Sequence, residues 1–354
     1  MNQQVREFGS EFDWQANEAF LTANRTQLHI GEAQKFRSGR DAMKAVAATM
    51  KDRYTRVLLP ALCCESMVAP FTMHGLQPVF YRLCENYKAD TADVQSKMTE
   101  GTILVYGSYF GIEPFDEEYL VFLHRQYPEA LFMEDRTQDI LSSREESSFQ
   151  PDVTVASIRK WIPIPDGGLL WGRVAADVKK DDTFAKLRKD AMVKKSRYLQ
   201  TGEASLKDDF RHKLGQAAEC LDESADPYAM TQESAELLEK LDFETIYVRR
   251  QDNTKALMAA LTPEEGLLRL ITTAPEISTL YFPILVKDQS KMQSELAKEG
   301  IYCPVIWPVP EEAEGVCPVA EFTAEHMLGV PCDQRYTPED MAYIGQQIMR
   351  IVHE

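Results

Sequence analysis

Five short apolar runs punctuate the first half of the chain: RVLLP (56–60), PVFYRL (78–83), TILVYG (102–107), ALFMED (130–135) and VTVASI (153–158). Each has the length and the β-branched or aromatic content of a strand. Between them the spacing turns helical, in DAMKAVAATMKD (41–52), around Thr91–Met98 and in DEEYLVFLHRQY (116–127). Strands alternating with helices predict βαβ crossovers and a mainly parallel sheet. Residues 181–260 are charged and helix-rich, and a smaller α+β pattern follows: LLRLI, YFPILVK, a helix near 289–299, IYCPVIW and a last helix. That helix is predicted to start with Thr337 as N-cap and Pro338 in its first position, with Met341, Ile344, Ile348 and Ile351 on one apolar stripe. The pattern defines an α/β protein: a large domain over 1–245 with a mainly parallel sheet flanked by helices, and a small α+β domain over 246–354.

Length agrees, since 354 residues suit one large core plus a smaller one. The net charge of −17 argues against a non-specific nucleic-acid or anionic-membrane surface. It leaves small anionic substrates open, because an acidic protein can hold a local cationic pocket. The start MNQQVREFGSEF lacks the basic and apolar segments of a signal peptide. No apolar run reaches the roughly 18 residues of a membrane span. Seven cysteines, an odd count without a C-x-x-C pair, suggest reduced thiols and a cytoplasmic location. Zinc held by Cys63, Cys64 and His74 is a minor alternative, and no metal site is expected.

Ligands of open parallel sheets sit beyond the carboxyl ends of the strands, and three residue groups fall at such places. Gly39, between Ser38 and Arg40, opens a helix whose N-terminus favours a phosphate. Ser38 with Asp41 is equally a capping-box-like start, and Asp41 would repel an anion unless Arg40 offsets it. Asp135 ends an apolar strand, where a carboxylate needs a partner. A protonated heterocycle is one such partner, with Gln138 beside the same ring; an ordinary cap on the next turn is another. Lys160 follows the run VTVAS and precedes Pro163, Pro165 and Gly167-Gly168. A partly desolvated amine there is a nucleophile for carbonyl carbons; an exposed lysine at a sheet edge is the plain alternative. The prolines exclude a regular helix after it, and the glycine pair allows a close backbone approach or a tight turn. Ser157-x-x-Lys160 also has the spacing of serine acylases, but the companion K-T-G and S-D-N motifs are absent.

In order, SGRDAM, LLPALCC…GLQPVFY, VYGSYFG, FMEDRTQ, SIRKWIPIPDGG, MTQESAELLEKLD, GIYCPVIWP and LGVPCDQRYTPEDM resemble the fold-type I aminotransferases that use pyridoxal 5′-phosphate (PLP). More narrowly they resemble the DegT/StrS-type sugar-nucleotide aminotransferases. The resemblance runs from residue 38 to the end. It implies that Lys160 forms the Schiff base with PLP and moves the proton, that Asp135 pairs with the pyridinium nitrogen, and that Gln138 lies near the ring oxygen. It also implies that Ser157 and the backbone of Gly39 and Arg40 hold the phosphate. Four positions depart from the family pattern. Arg40 stands where threonine is usual, Cys64 where a ring often stacks on PLP, and Ser108 where histidine is expected. Pro227-Tyr228-Ala229 replaces a segment that reaches the neighbouring subunit. A homodimer, a glutamate-like donor and a nucleotide-linked keto sugar as acceptor are implied. The basic stretch Lys186, Arg188, Lys189, Lys194, Lys195 and Arg197 is either a solvated helix face or a diphosphate contact, and Arg335 is a candidate anion contact. A PLP lyase or racemase, or a catalytically idle module of this fold, stay open as alternatives.

Overall fold

Alternating apolar runs become neighbours in one sheet. The computed structural model describes residues 5–15, 20–21, 32–141, 149–172, 174, 176–272 and 278–354; residues 1–4 of the N-terminal stretch read above lie outside these. A seven-stranded sheet has the order Gln34–Phe36, Gly168–Gly172, Val153–Ala156, Leu131–Asp135, Thr102–Tyr106, Arg56–Pro60 and Gln77–Tyr81. Gly168–Gly172 is antiparallel to both neighbours, and the other pairings are parallel. The central strands are nearly all buried, as apolar runs in a sheet covered on both faces must be. The run VTVASI is shorter as a strand than its composition suggests, stopping at Ala156.

Two strands of this sheet carry no clear hydrophobic signal. Gln34–Phe36 is QKF, largely polar at the sheet edge, and Gly168–Gly172 opens on a glycine. The Gly167-Gly168 pair serves close approach and not a tight turn: a Cβ on Gly168 would lie 2.0 Å from the Ser38 carbonyl oxygen. Helix Gly39–Met50 lies over these strands and buries Ala42, Ala45, Val46 and Ala47. Helices Glu65–Thr72, with Pro70 inside it, Thr91–Lys97 and Glu117–Gln126 complete the crossovers. Helix Thr183–Thr201 ends on Gly202 in the left-handed region (φ 70°) and packs against Ala204–Glu219.

The C-terminal part has its own core around a three-stranded antiparallel sheet, ordered Met327–Val330, Phe282–Val286 and Leu268–Leu270. Helix Pro338–Val352 covers it with Met341, Ile344, Ile348 and Ile351 all buried. Thr337 and Asp340 form a reciprocal capping box at its start. Of IYCPVIW only Ile301–Tyr302 is strand, since Pro304 has no N–H for a ladder. That strand pairs in parallel with Phe8–Gly9, so the N-terminal segment docks on the C-terminal part. Helix Phe243–Ala260 joins the two cores: Phe243 and Ile246 pack with Trp161, whereas Leu257 packs with Phe282 and Ile344. Among the described residues no helix is long and apolar enough to cross a membrane, and no group of three His, Cys, Asp or Glu side chains is placed to hold a metal.

Candidate active site

A cavity opens beyond the carboxyl ends of the parallel strands, the place this topology favours for a ligand. Gly39, Arg40, Cys64, Asp135, Gln138, Ser157 and Lys160, from separate stretches of sequence, all line it. Arg335 lies apart, lining an adjoining cavity of about 700 Å³ that also reaches Gln138, Arg159, Lys160 and Trp307.

The lysine is held by its neighbours in sequence. Its strand ends at Ala156, and Ile158–Lys160 forms one 3₁₀ turn in which the Lys160 N–H donates to the Ser157 carbonyl at 3.2 Å. Thr137, from the loop after Asp135, ties this turn down. Its Oγ1 accepts from the Ser157 N–H at 3.0 Å, and its carbonyl accepts from Trp161 Nε1 at 2.6 Å. On the other side the Trp161 carbonyl accepts from Arg250 Nη2 at 3.1 Å and Gln334 Nε2 at 2.7 Å. Arg250 also lies over the Trp161 ring, 4.5 Å from its centroid. Arg250 is wholly buried and 89 positions from Trp161, a contact that local sequence patterns do not reveal.

Asp135 acts as the turn cap that its position allows: Oδ1 accepts from the Thr137 N–H at 2.8 Å. Burial pushes its carboxyl above the ordinary value, against the pull of the Thr137 hydrogen bonds and the charge of Lys160. Besides the Nε atoms of Arg40 and Arg159, two uncharged polar atoms facing this cavity are buried without a partner among the described residues, Gln138 Oε1 and Ser108 Oγ. Both side chains are over nine-tenths buried. Unpaired buried polar atoms are costly and mark where a ligand's polar groups fit.

The helix start shows both of its expected features. Ser38 is the N-cap; its Oγ accepts from the Asp41 N–H at 3.1 Å. Asp41 does not confront the cavity as a bare charge, but Arg37, not Arg40, offsets it, through Nη2 at 2.8 Å and Nε at 3.0 Å. Arg40 instead pairs with Asp222 through Nη1 and leaves its Nε buried without a partner. Glycine is required where the helix meets the lysine strand: a Cβ on Gly39 would sit 2.9 Å from that of Ser157. A Cβ on Gly107 would sit 2.2 Å from the Asp135 carbonyl oxygen.

The remaining departures are also placed. Cys64 precedes helix Glu65–Thr72, with Sγ 2.9 Å from Ser66 Oγ. Pro227-Tyr228-Ala229 is tied to its own chain: the Pro227 carbonyl and Ala229 N–H bond to Lys179, and the Tyr228 carbonyl accepts from the Arg37 N–H at 2.8 Å. In the basic stretch, Arg188 pairs with Glu11 at 2.7 Å, and Lys195 donates to the Glu11 carbonyl. Lys186, Lys189 and Lys194 meet Asp182, Glu233 and Asp190 or Asp209. These cations are divided among several partners, and Arg188 and Lys195 are buried, so only part of the stretch is a solvated face. Arg335 is similarly engaged, with Asp333 accepting from Nε and Nη2 at 2.8 Å and the Glu11 and Ser10 carbonyls taking further N–H groups.

No protein-family profile and no curated protein matches the chain. Solved structures do. The aminotransferase TlmJ from Streptoalloteichus hindustanus matches with a TM-score of 0.66 and 17% identity over 100% of this chain and 99% of its own. Helicobacter pylori PseC, an aminotransferase involved in the biosynthesis of pseudoaminic acid, matches with a TM-score of 0.65 and 13% identity over 98% of this chain and 100% of its own. A DegT DnrJ EryC1 StrS aminotransferase from Brucella abortus matches with a TM-score of 0.60 and 14% identity, covering 92% and 88%. These likenesses and the sheet order define the architecture as that of fold-type I PLP-dependent transferases.

Proposed function

We propose that the chain is a PLP-dependent aminotransferase that moves an amino group from an amino acid, glutamate or a close analogue, to a keto group on a nucleotide-linked sugar. The observation that carries this reading is the convergence of a lysine amine, a strand-end carboxylate and a glycine-cleared helix N-terminus on one cavity. The residues fit the cofactor: the helix start and Ser157 suit its phosphate, Asp135 suits a protonated ring nitrogen, and the orphaned atoms of Gln138 and Ser108 suit polar ring substituents. PLP supplies the electron sink that makes an amino acid's α-proton removable.

The chain supplies position and proton transfer. With the cofactor bound, the Lys160 amine would take up and return the substrate's α-proton, held in place by the Thr137 and Arg250 contacts around Ser157 and Trp161. Asp135 sets the charge at the ring nitrogen; a buried carboxylate gains most from such a cation. Trp307, stacked on Phe110, lines both cavities. The larger cavity takes the substrates, with Arg335 at its wall. A second copy of the chain completes the site in this reading, as a homodimer.

The test is an absorbance spectrum of PLP-loaded protein before and after excess glutamate, beside Lys160→Ala. The proposal expects a visible band in the wild type that glutamate bleaches, and loss of both features in the variant. A band that glutamate leaves unchanged would move the reading to another PLP reaction or to an idle module. Absence of any band would end the PLP reading.

A further inference from the structure

We propose that the Arg159 side chain is the charge-neutralising ligand of the phosphate at the Gly39–Arg40 helix start. The identification of that phosphate as the cofactor's rests on the reading above; the anion site itself does not. Four arginines crowd this end of the cavity. Arg37, Arg159 and Arg188 lie 5.6, 5.8 and 5.8 Å from the centroid of one ring, Phe184, and Arg40 lines the cavity beside Arg159. Three have a carboxylate: Arg37 has Asp41, Arg188 has Glu11 and Arg40 has Asp222. Arg159 has no carboxylate in ion-pair contact among the described residues, only the more distant pull of Glu11 and Asp41, which Arg188 and Arg37 already engage, and its Nε is buried without a partner. Lys44, in the same helix as Arg40 and wholly buried, adds positive charge, since among the described residues its amine donates to the Leu221 and Ser224 carbonyls and to no carboxylate.

A partly buried cation with no anion in direct contact is costly, and the group responds by favouring its neutral form. Burial, reinforced by Arg188, pushes Arg159 down to about 10. An anion arriving here therefore relieves a cost that is already present. Arg159 sits two positions after Ser157 and lines the same cavity as Gly39, Arg40 and Ser157. Backbone amides at a helix start, a hydroxyl and a planar guanidinium fork suit the several oxygens of a phosphate dianion better than the two of a carboxylate. Arg159 also lines the larger cavity, so the same residue bounds the substrate's space.

The experiment uses the full chain freed of cofactor, with inorganic phosphate as probe, comparing the wild type with Arg159→Gln and Arg159→Lys by thermal melting. Phosphate is expected to raise the wild-type melting temperature, with the gain lost in Arg159→Gln and partly kept in Arg159→Lys. Excluded-ion stabilisation acts on all three alike, so the difference between proteins is the readout. Without phosphate, Arg159→Gln should melt no lower than the wild type, because it removes an unpaired charge. A second titration compares PLP with pyridoxal, which lacks the phosphate: Arg159→Gln should weaken PLP by about 10- to 100-fold and leave pyridoxal unchanged. An undiminished phosphate gain in Arg159→Gln, no gain in the wild type, or an unchanged PLP-to-pyridoxal ratio would overturn the proposal. A gain that depends on Arg159 in a protein that takes up no PLP would leave the anion site standing and refute the aminotransferase reading instead.

Discussion

Asp41→Asn tests how the helix start is kept fit for an anion. Asp41 has no solvent exposure, and its carboxylate accepts from Arg37 Nη2 at 2.8 Å, Arg37 Nε at 3.0 Å and Ser38 Oγ at 2.5 Å. Arg37 is only 2% exposed, and its other contacts are the rings of Tyr228, at 4.1 Å, and Phe184. Replacing one carboxylate oxygen by an amide nitrogen sets a donor against a donor and removes the charge that compensates Arg37. Removing one partner of a buried pair costs about 3–5 kcal/mol, a large share of the roughly 5–15 kcal/mol by which an ordinary domain is stable. Urea denaturation should show a lower midpoint with an unchanged slope. The double variant Arg37→Met with Asp41→Leu removes both charges and should lose much less than the sum of the two single changes. A loss below about 1 kcal/mol for Asp41→Asn, the range of a solvent-exposed pair, would refute the argument that this pair is structurally buried.

Three further outcomes follow from the same geometry. Gly168→Ala places a Cβ 2.0 Å from the Ser38 carbonyl oxygen and 2.7 Å from the Gly39 nitrogen; overpacking against two backbone atoms should cost at least about 1–3 kcal/mol in urea denaturation and weaken PLP uptake. The carboxyl of Asp135 is raised above its ordinary 3.8 by burial, so the folded protein binds this proton more tightly than the unfolded chain. Its contribution to stability therefore falls as pH rises from the unfolded value through the folded one; melting curves of cofactor-free Asp135→Asn across that range should lack this fall. Arg250→Lys removes the planar fork that reaches Gln334, Thr279, Leu280 and Trp161, and should lower the denaturation midpoint and broaden the visible band of PLP-loaded protein, because a lysine cannot reproduce those bonds.

Much of this molecule is legible in its sequence, and the exceptions share a cause. RVLLP and TILVY are strands within a residue of their apolar runs because a strand covered on both faces must be apolar throughout. Thr337-Pro338 marks its helix start because capping chemistry is local. The edge strand QKF gives no such signal, since one side of an edge faces solvent. Glu65–Thr72 is hidden by Pro70, a residue that argues against a helix interior. In the cavity, the lysine, carboxylate and glycine positions could be read from strand ends. Their partners could not. Arg37 on Asp41 looks like one more charged neighbour until burial makes it the direct ion-pair partner of that carboxylate. Arg250 reaches Trp161 across 89 positions. Arg159 stands out only once the carboxylates around it have been assigned to Arg37, Arg40 and Arg188.

The central claim is that Lys160 is the residue to which the cofactor attaches. The direct measurement is to load the protein with PLP, reduce it with borohydride, digest it and locate the modified lysine by peptide mass spectrometry. The account predicts the modification on Lys160, in the peptide that holds Trp161. Modification of any other lysine, or of none, would contradict it.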